Sequence, residues 1–114
     1  ETEAIRDACR KLGTVDLRGC ELYTSCEPCA LCVAAMEIAG ISQLYYAASM
    51  AQAGSALGAL PEDARFPIDV DRLRHECAHS IDQRHLPAQQ ALDQDASTVL
   101  KEWANQALAR RNVP

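Results

Sequence analysis

The sequence lacks a long hydrophobic run, a signal-peptide core and an excess of basic residues. No apolar stretch among its 114 residues reaches the roughly 18 residues that a membrane-spanning helix needs. Residues 1–15 also lack the short apolar segment of a signal peptide. Lys and Arg number 11 against 16 Asp and Glu, a formal net charge of −5, which argues mildly against a long nucleic-acid ligand. We therefore expect a cytoplasmic protein with no membrane partner.

The placement of the six cysteines does not suggest a disulfide framework. Cys26, Cys29 and Cys32 lie three residues apart, whereas the other cysteines fall inside apolar patterns. Without a secretion signal, reduced thiols or a metal site is the better interpretation. The chain length is close to the usual size of one domain, so residues 1–114 are predicted to form a single domain.

Hydrophobic periodicity predicts alternating helices and strands in the first half of the chain. A glycine follows each predicted helix, in the position that favours a left-handed C′ residue. A strand, a helix and a strand this close together form a βαβ unit, whose strands are parallel. The predicted elements are a helix at 2–12, a strand at 20–24, a buried helix opened by Pro28 and ending at 39, and a strand at 43–48 that is buried on both faces.

The second half is less regular. Residues 49–69 are predicted to be a loop with one helical turn, and 79–84 a short edge strand. The last helix is predicted at about 96–109, capped by Asp95. Its predicted buried stripe consists of Val99, Leu100, Trp103, Ala104, Ala107 and Leu108. The side chain of Trp103 is expected in the core, as are Tyr45 and Tyr46 on their strand. A further helix is predicted at 70–78.

The segment TSCEPCALC, residues 24–32, concentrates the chemistry of the chain. Cys29 and Cys32 are three residues apart at a helix start, so they share one face. The helix dipole and the first-turn amides favour thiolates there. Two thiolates on one face are two corners of a tetrahedral zinc site. Cys26 precedes Pro28 and belongs to the strand end, so it need not face the same point. A redox pair and buried thiols are the alternatives that this spacing leaves open.

The wider sequence resembles the zinc-dependent deaminases of the cytidine deaminase-like superfamily. Their signature is H-x-E followed by P-C-x-x-C, and residues 28–32 match its second half. The first half usually reads His-Ala-Glu in the family, followed by Ala-(Ile/Leu)-Arg, and this chain begins ETEAIR. The resemblance implies that Glu1 is the catalytic glutamate, that Cys29 and Cys32 bind Zn²⁺, and that Glu27 and Pro28 support the site.

The resemblance also implies a fold. It is a three-layer α/β/α arrangement whose mixed sheet has a parallel βαβ core. The family's first helix, its N-terminal strands and the ligand histidine two residues before Glu1 are missing from this sequence. We therefore expect the C-terminal portion of a longer deaminase domain. A glutamate at the first position is also expected to be poorly anchored.

The implied activity is the hydrolytic deamination of a nucleobase or nucleoside, with Glu1 as the proton shuttle. TSCEPC and YYAA resemble the guanine deaminase branch most, so guanine is the predicted substrate and xanthine and ammonia the products. A tRNA adenosine deaminase and a cytosine or cytidine deaminase are the alternatives. A catalytically inactive zinc-binding subunit is the alternative of another class. Family members are commonly dimers, so a homodimer is predicted, with or without exchanged elements.

A second segment, HECAH at 75–79, fits the H-E-x-x-H motif of zinc peptidases. On a helix that starts at residue 70, His75 and His79 fall roughly opposite the apolar side. A peptidase needs both histidines turned inward to a cleft. The motif is therefore predicted to be an exposed coincidence, with adventitious metal binding as its alternative. The apolar side of that helix is defined by Val70, Leu73, Cys77 and Ile81.

Overall fold

The computed structural model describes residues 1–64 and 69–112. The chain divides into two compact units, Glu1–His79 and Ser80–Pro114. Two short 3-10 helices occur at Glu62–Ala64 and Ile81–Gln83. Across the described ranges, no helix has both the length and the hydropathy of a bilayer span. The main elements are α1 (Thr2–Leu12), β1 (Glu21–Cys26), α2 (Ala30–Ala39), β2 (Gln43–Ala48), α3 (Met50–Leu57) and α4 (Val70–Ala78) in the first unit, and α5 (Asp93–Arg111) in the second.

The first helix follows the predicted bounds. Ile5 is the buried residue of its apolar stripe, and its acidic and basic residues lie on the exposed side, as expected of an amphipathic surface helix. Gly13 ends the helix at φ 67° and its N–H reaches the carbonyl of Cys9. This left-handed conformation is the reason that glycine occupies the position.

The predicted βαβ unit is confirmed. Strands β1 and β2 are parallel neighbours, with Leu22 opposite Leu44 and Tyr23 opposite Tyr45. Helix α2 connects them and ends at Gly40, which has φ 82°. Two parallel strands require such a crossover connection, because a tight turn would place the second strand antiparallel to the first.

The core lies where α1 and α2 meet one face of the sheet. Leu17, in the loop before β1, is 1% exposed, and its N–H donates to the carbonyl of Ala39 over 2.8 Å. Burying one such leucine contributes about 1.5–3 kcal/mol. The clustered core residues are Ile5, Leu17, Leu22, Met36 and Ala39.

The other face of the sheet is open, which contradicts the prediction that β2 is buried on both faces. Tyr23 and Tyr45 stack there with ring centroids 4.9 Å apart. Their side chains are 69% and 46% exposed. Tyr46, opposite Thr24 on the face that meets the helices, is also 53% exposed. The apolar residues of β2 are therefore explained by their preference for strands, and not by burial of the strand in this chain. Helix α2 is likewise buried on one side only, since Leu31 and Ile38 are exposed.

Several predicted bounds also shift. Helix α2 begins at Ala30 with Cys29 as its N-cap residue, so Pro28 precedes the helix rather than occupying its first turn. Residues 50–57 form a full helix where a loop was predicted, because Ser49 and Gln52 make a capping box. Residues 65–68 of the predicted loop lie outside the described residues. The predicted edge strand at 79–84 is a 3-10 turn instead.

The second unit differs from its prediction in capping and burial. Helix α5 starts at Asp93, so Asp95 lies in the first turn and Leu92, at φ 58°, is the N-cap residue. Trp103 was predicted to be in the core and is 66% exposed. Val99, Leu100 and Leu108 of the same stripe are also exposed. The helix is present, but the burial predicted for its apolar stripe is wrong in this chain.

Candidate active site

Glu1 is held firmly at the start of α1. It is the N-cap residue, and its carbonyl accepts the N–H of Ile5 over 3.0 Å. Its carboxylate oxygen Oε1 accepts a hydrogen bond from the Thr24 hydroxyl over 3.0 Å. The residue is half-buried. The expectation that a first-position glutamate would be poorly anchored is therefore wrong, because strand β1 supplies a partner for the side chain.

The two cysteines of the P-C-x-x-C segment lie at the start of α2. Cys29 is the N-cap residue, with extended backbone at φ −76° and ψ 174°. Cys32 is the third residue of the helix and is buried. Cys26, the third cysteine of the cluster, is exposed at the end of β1. The helix start thus separates a pair of cysteines from the one on the strand, as the position of Pro28 predicts.

Glu1 and Cys32 meet although 31 positions separate them. The thiol of Cys32 donates to Oε2 of Glu1 over 3.5 Å, while Oε1 is bonded to Thr24. The two carboxylate oxygens therefore have different neighbours: one contacts the strand, and the other contacts a candidate metal ligand. Three elements, α1, β1 and α2, meet at this point.

The two thiols have opposite electrostatic surroundings. The pKa of Cys29 is lowered, chiefly because the backbone N–H of Cys32 favours its thiolate, with a further contribution from the N–H of Leu31. Burial raises the pKa of Cys32, and the hydrogen bond to Glu1 and the negative charge of Glu1 raise it further. A helix N-terminus commonly lowers a thiol pKa in this way. The pair therefore combines one cysteine whose pKa is lowered with one whose thiol donates to a carboxylate.

Glu27 and Pro28 lie in the turn that joins β1 to α2. The N–H of Glu27 donates to the carbonyl of Ala48 over 2.8 Å. Its Oε1 accepts the N–H of Met50, the first residue of α3, over 3.1 Å. Pro28 is buried. These contacts tie the cysteine-bearing turn to the end of β2 and the start of α3, which suits the predicted supporting role.

The cavity beside this turn is separate from the cysteine pair. It has a volume of about 770 Å³ and lies between α2, β2 and α4. Its lining includes Glu27, Pro28, Tyr46 and Arg74 but none of Glu1, Cys29 and Cys32. We place the candidate chemistry at the cysteine pair rather than in this cavity, because the acid–base and metal-ligating groups converge there.

Sequence reasoning missed Thr24 as a member of the site. The strand alternation contained the signal, because Leu22 and Thr24 share the face of β1 that meets the helices. Thr24 was identified there only as a strand residue. The partner of its hydroxyl is 23 positions away, and no local pattern shows such a pairing.

The HECAH segment has a different geometry. The rings of His75 and His79 stack with centroids 3.9 Å apart and planes 18° from parallel. Nδ1 of His79 lies 2.6 Å from the carbonyl of His75, so it must carry the hydrogen that it donates. His75 is exposed and His79 half-buried, so the predicted exposure holds fully for His75 alone. Of the predicted apolar side, Cys77 and Ile81 are exposed.

Comparison with known families shows which proteins this region resembles. Residues 1–48 match the family model of the cytidine and deoxycytidylate deaminase zinc-binding region. This stretch contains Glu1, Thr24, Glu27 and both cysteines of the pair. The predicted resemblance to zinc-dependent deaminases is therefore confirmed over this region.

Two individual relatives are similar over about half of this chain. The chain is 46% identical over 56 residues to the guanine deaminase of Bacillus subtilis, a match that covers 49% of this chain and 36% of the relative. It is 44% identical over 55 residues to the tRNA-specific adenosine deaminase of Agrobacterium fabrum, covering 48% of this chain and 36% of that protein. The matched stretch thus spans about a third of the length of these relatives.

A solved structure extends the similarity beyond the zinc-binding region. The X-ray structure of guanine deaminase from Bacillus subtilis superposes with a TM-score of 0.66 and 28% sequence identity. The match covers 90% of this chain and 59% of that chain. The predicted deaminase-like α/β fold is thereby confirmed, with helices and a small parallel sheet in the described residues.

Proposed function

We propose that this chain provides the zinc-binding and proton-transfer part of a hydrolytic deaminase that acts on a nucleobase or nucleoside. The observation that carries the proposal is the contact between the Glu1 carboxylate and the Cys32 thiol at the start of α2. It brings the predicted proton shuttle to the predicted metal ligands. A cytoplasmic homodimer, with or without exchanged elements, remains part of the proposal.

The donor set fits zinc. Cysteine sulfurs are ligands that Zn²⁺ prefers, and they bind as thiolates. Cys29 is biased towards its thiolate, and the proton of Cys32 has an acceptor in Glu1. The family resemblance adds a histidine two residues ahead of Glu1 as the third ligand. When bound, the ion would lower the pKa of a water molecule towards neutrality.

The role of Glu1 follows from its two oxygens. Oε1 is anchored by Thr24, so Oε2 is the oxygen available on the side of the metal ligands. There it would accept a proton from the attacking water and deliver it to the ring nitrogen. It would then accept a second proton, from the hydroxyl group added to the ring carbon, and deliver that proton to the leaving amine. One carboxylate can act as base and then as acid because the proton that it accepts is the proton that it donates.

Guanine is the substrate that we propose, with xanthine and ammonia as products. Its support is the similarity to a guanine deaminase in both sequence and structure. A tRNA adenosine substrate is the second candidate, because a tRNA-specific adenosine deaminase is almost equally similar over the same region. The negative net charge of the chain favours a small substrate over a nucleic acid.

The test measures ammonia released from guanine, guanosine, cytosine, cytidine and adenosine, and from tRNA. We expect release from guanine. Glu1→Gln should lower kcat by about 10²–10⁴-fold with the zinc content unchanged. Glu3→Gln is the matched control, since Glu3 is exposed and pairs with Arg6. Release from cytidine alone would contradict the guanine assignment. Bound zinc without release from any substrate would favour the inactive zinc-binding subunit.

A further inference from the structure

Thr24 presents its hydroxyl to the predicted proton shuttle. It donates to Oε1 of Glu1 over 3.0 Å in a partly buried contact. It also lies 3.1 Å from the carbonyl of Cys26 on its own strand. The hydroxyl carries a single hydrogen, and an ionised carboxylate is the stronger acceptor of the two. The bond to Glu1 is therefore the favoured one.

The strand makes this donor rigid. Threonine is branched at Cβ, so its χ1 has few accessible values, and β1 is hydrogen-bonded to β2 along its length. Glu1, in contrast, stands at the very start of α1, where its backbone is fixed mainly by the bond from Ile5. Without a partner its carboxylate could rotate freely. Thr24 is a strand-based anchor for a side chain at a helix start.

We propose that Thr24 is a positioning residue for Glu1, holding Oε1 so that Oε2 stays at the sulfur of Cys32. This inference deepens the proposed deaminase function and rests on it for its catalytic consequence. The anchoring itself is a property of the protein alone. It can be measured without substrate, so the two parts can fail separately.

The first measurement is a thermal double-mutant cycle on the full chain with Thr24→Val and Glu1→Ala. Thr24→Val removes the hydroxyl at nearly constant volume. We expect it to lower Tm by about 4 °C when Glu1 is present and by less than about 1 °C when Glu1 is replaced. Thr98→Val is the matched control, because the hydroxyl of Thr98 bonds to the carbonyl of Gln94 within α5. Equal losses for Thr24→Val in both backgrounds would overturn the proposed anchoring.

The second measurement is the kinetics of ammonia release by the zinc-loaded chain. Thr24→Val should lower kcat by about 10–100-fold with KM nearly unchanged, because a misplaced group weakens the reacting geometry rather than binding. Thr24→Ser, which restores the hydroxyl, should recover most of kcat. A rise in KM at constant kcat would overturn the positioning role. If the unmodified chain releases no ammonia, the proposed function fails, while the thermal cycle still decides whether Thr24 anchors Glu1.

Discussion

Two segments of the first unit have the spacing of a zinc motif, and their geometries differ. In TSCEPCALC, residues 24–32, the side chains converge with Glu1, which lies more than twenty positions away. In HECAH, the two histidines stack on each other. Lone pairs of imidazole nitrogens lie in the ring plane, so two nearly parallel rings cannot both direct one at the same ion without rotating. The two segments therefore share the spacing of zinc motifs but differ in what their side chains contact.

The difference arises from the local fold of each segment. The cysteines lie at a helix start, where backbone N–H groups are available to stabilise a thiolate. HECAH lies at the end of α4, where His79 is already outside the helix as its C-cap residue. The i, i+4 geometry that a zinc peptidase uses requires both histidines to be helical. The last turn of α4 therefore does not supply that geometry.

The largest effect that we expect is the loss of zinc when the cysteine pair is removed. The unmodified chain should hold about one zinc, and Cys29→Ser with Cys32→Ser should reduce this to background. His75→Ala with His79→Ala should keep it, as should the exposed control pair Cys26→Ser with Cys77→Ser. Elemental analysis after dialysis gives the zinc content. The comparison between the two segments would be reversed if the histidine double variant lost its zinc and the cysteine double variant kept it.

The next effect concerns the histidine that the resemblance places two residues ahead of Glu1. Extending the chain with His-Ala should tighten zinc binding on the order of a hundredfold, about 2.7 kcal/mol, over an Ala-Ala extension of the same length. Competition with a chelator measures the affinity. Equal zinc affinities for the two extensions would mean that the third ligand is not this histidine. The histidines of HECAH would then be candidates for the third ligand.

The sequence was sufficient to predict the βαβ unit and the separation of Cys26 from the cysteine pair. Both depend on local signals: apolar periodicity, Gly13 and Gly40 as helix ends, and Pro28 before the helix. The anchoring of Glu1 by Thr24 could not be predicted, because it depends on tertiary packing between α1 and β1. Ser49 and Gln52 carry the sequence signal of the capping box that starts α3, although a loop with one helical turn was predicted there.

Burial was the property predicted least well. The stripe on α5 and the apolar run of β2 have the right periods for their elements, yet Trp103 and Tyr46 remain largely exposed. Periodicity identifies which side of an element is apolar, but it does not identify what packs on that side.

The third prediction uses the opposite pKa directions of the two cysteines. In the metal-free chain near pH 7.5, Cys29 should react with iodoacetamide several times faster than Cys32, because its lowered pKa leaves more thiolate. Raising the pH should narrow the difference as Cys32 also ionises. Exposed Cys77, from the HECAH segment, is the internal reference for accessibility. Mass spectrometry of brief labelling gives the rates, and faster labelling of Cys32 would contradict the assignment.

The smallest expected effect is at Glu27, which we interpret as support for the cysteine-bearing turn. Glu27→Ala removes the acceptor for the N–H of Met50 and should lower the free energy of unfolding by about 1 kcal/mol. Glu37→Ala, on the exposed side of α2, should change it by less than about 0.5 kcal/mol. Urea unfolding of the metal-free chains measures both.

Zinc content decides what the Glu27 result means. If Glu27 acts as a support, the variant keeps its zinc and loses only stability, because the cysteine pair is fixed mainly by the start of α2. If the variant loses zinc at unchanged stability, Glu27 acts at the metal itself. The segment would then bind through three side chains rather than two, and the contrast with HECAH would depend on the number of donors as well as on their convergence.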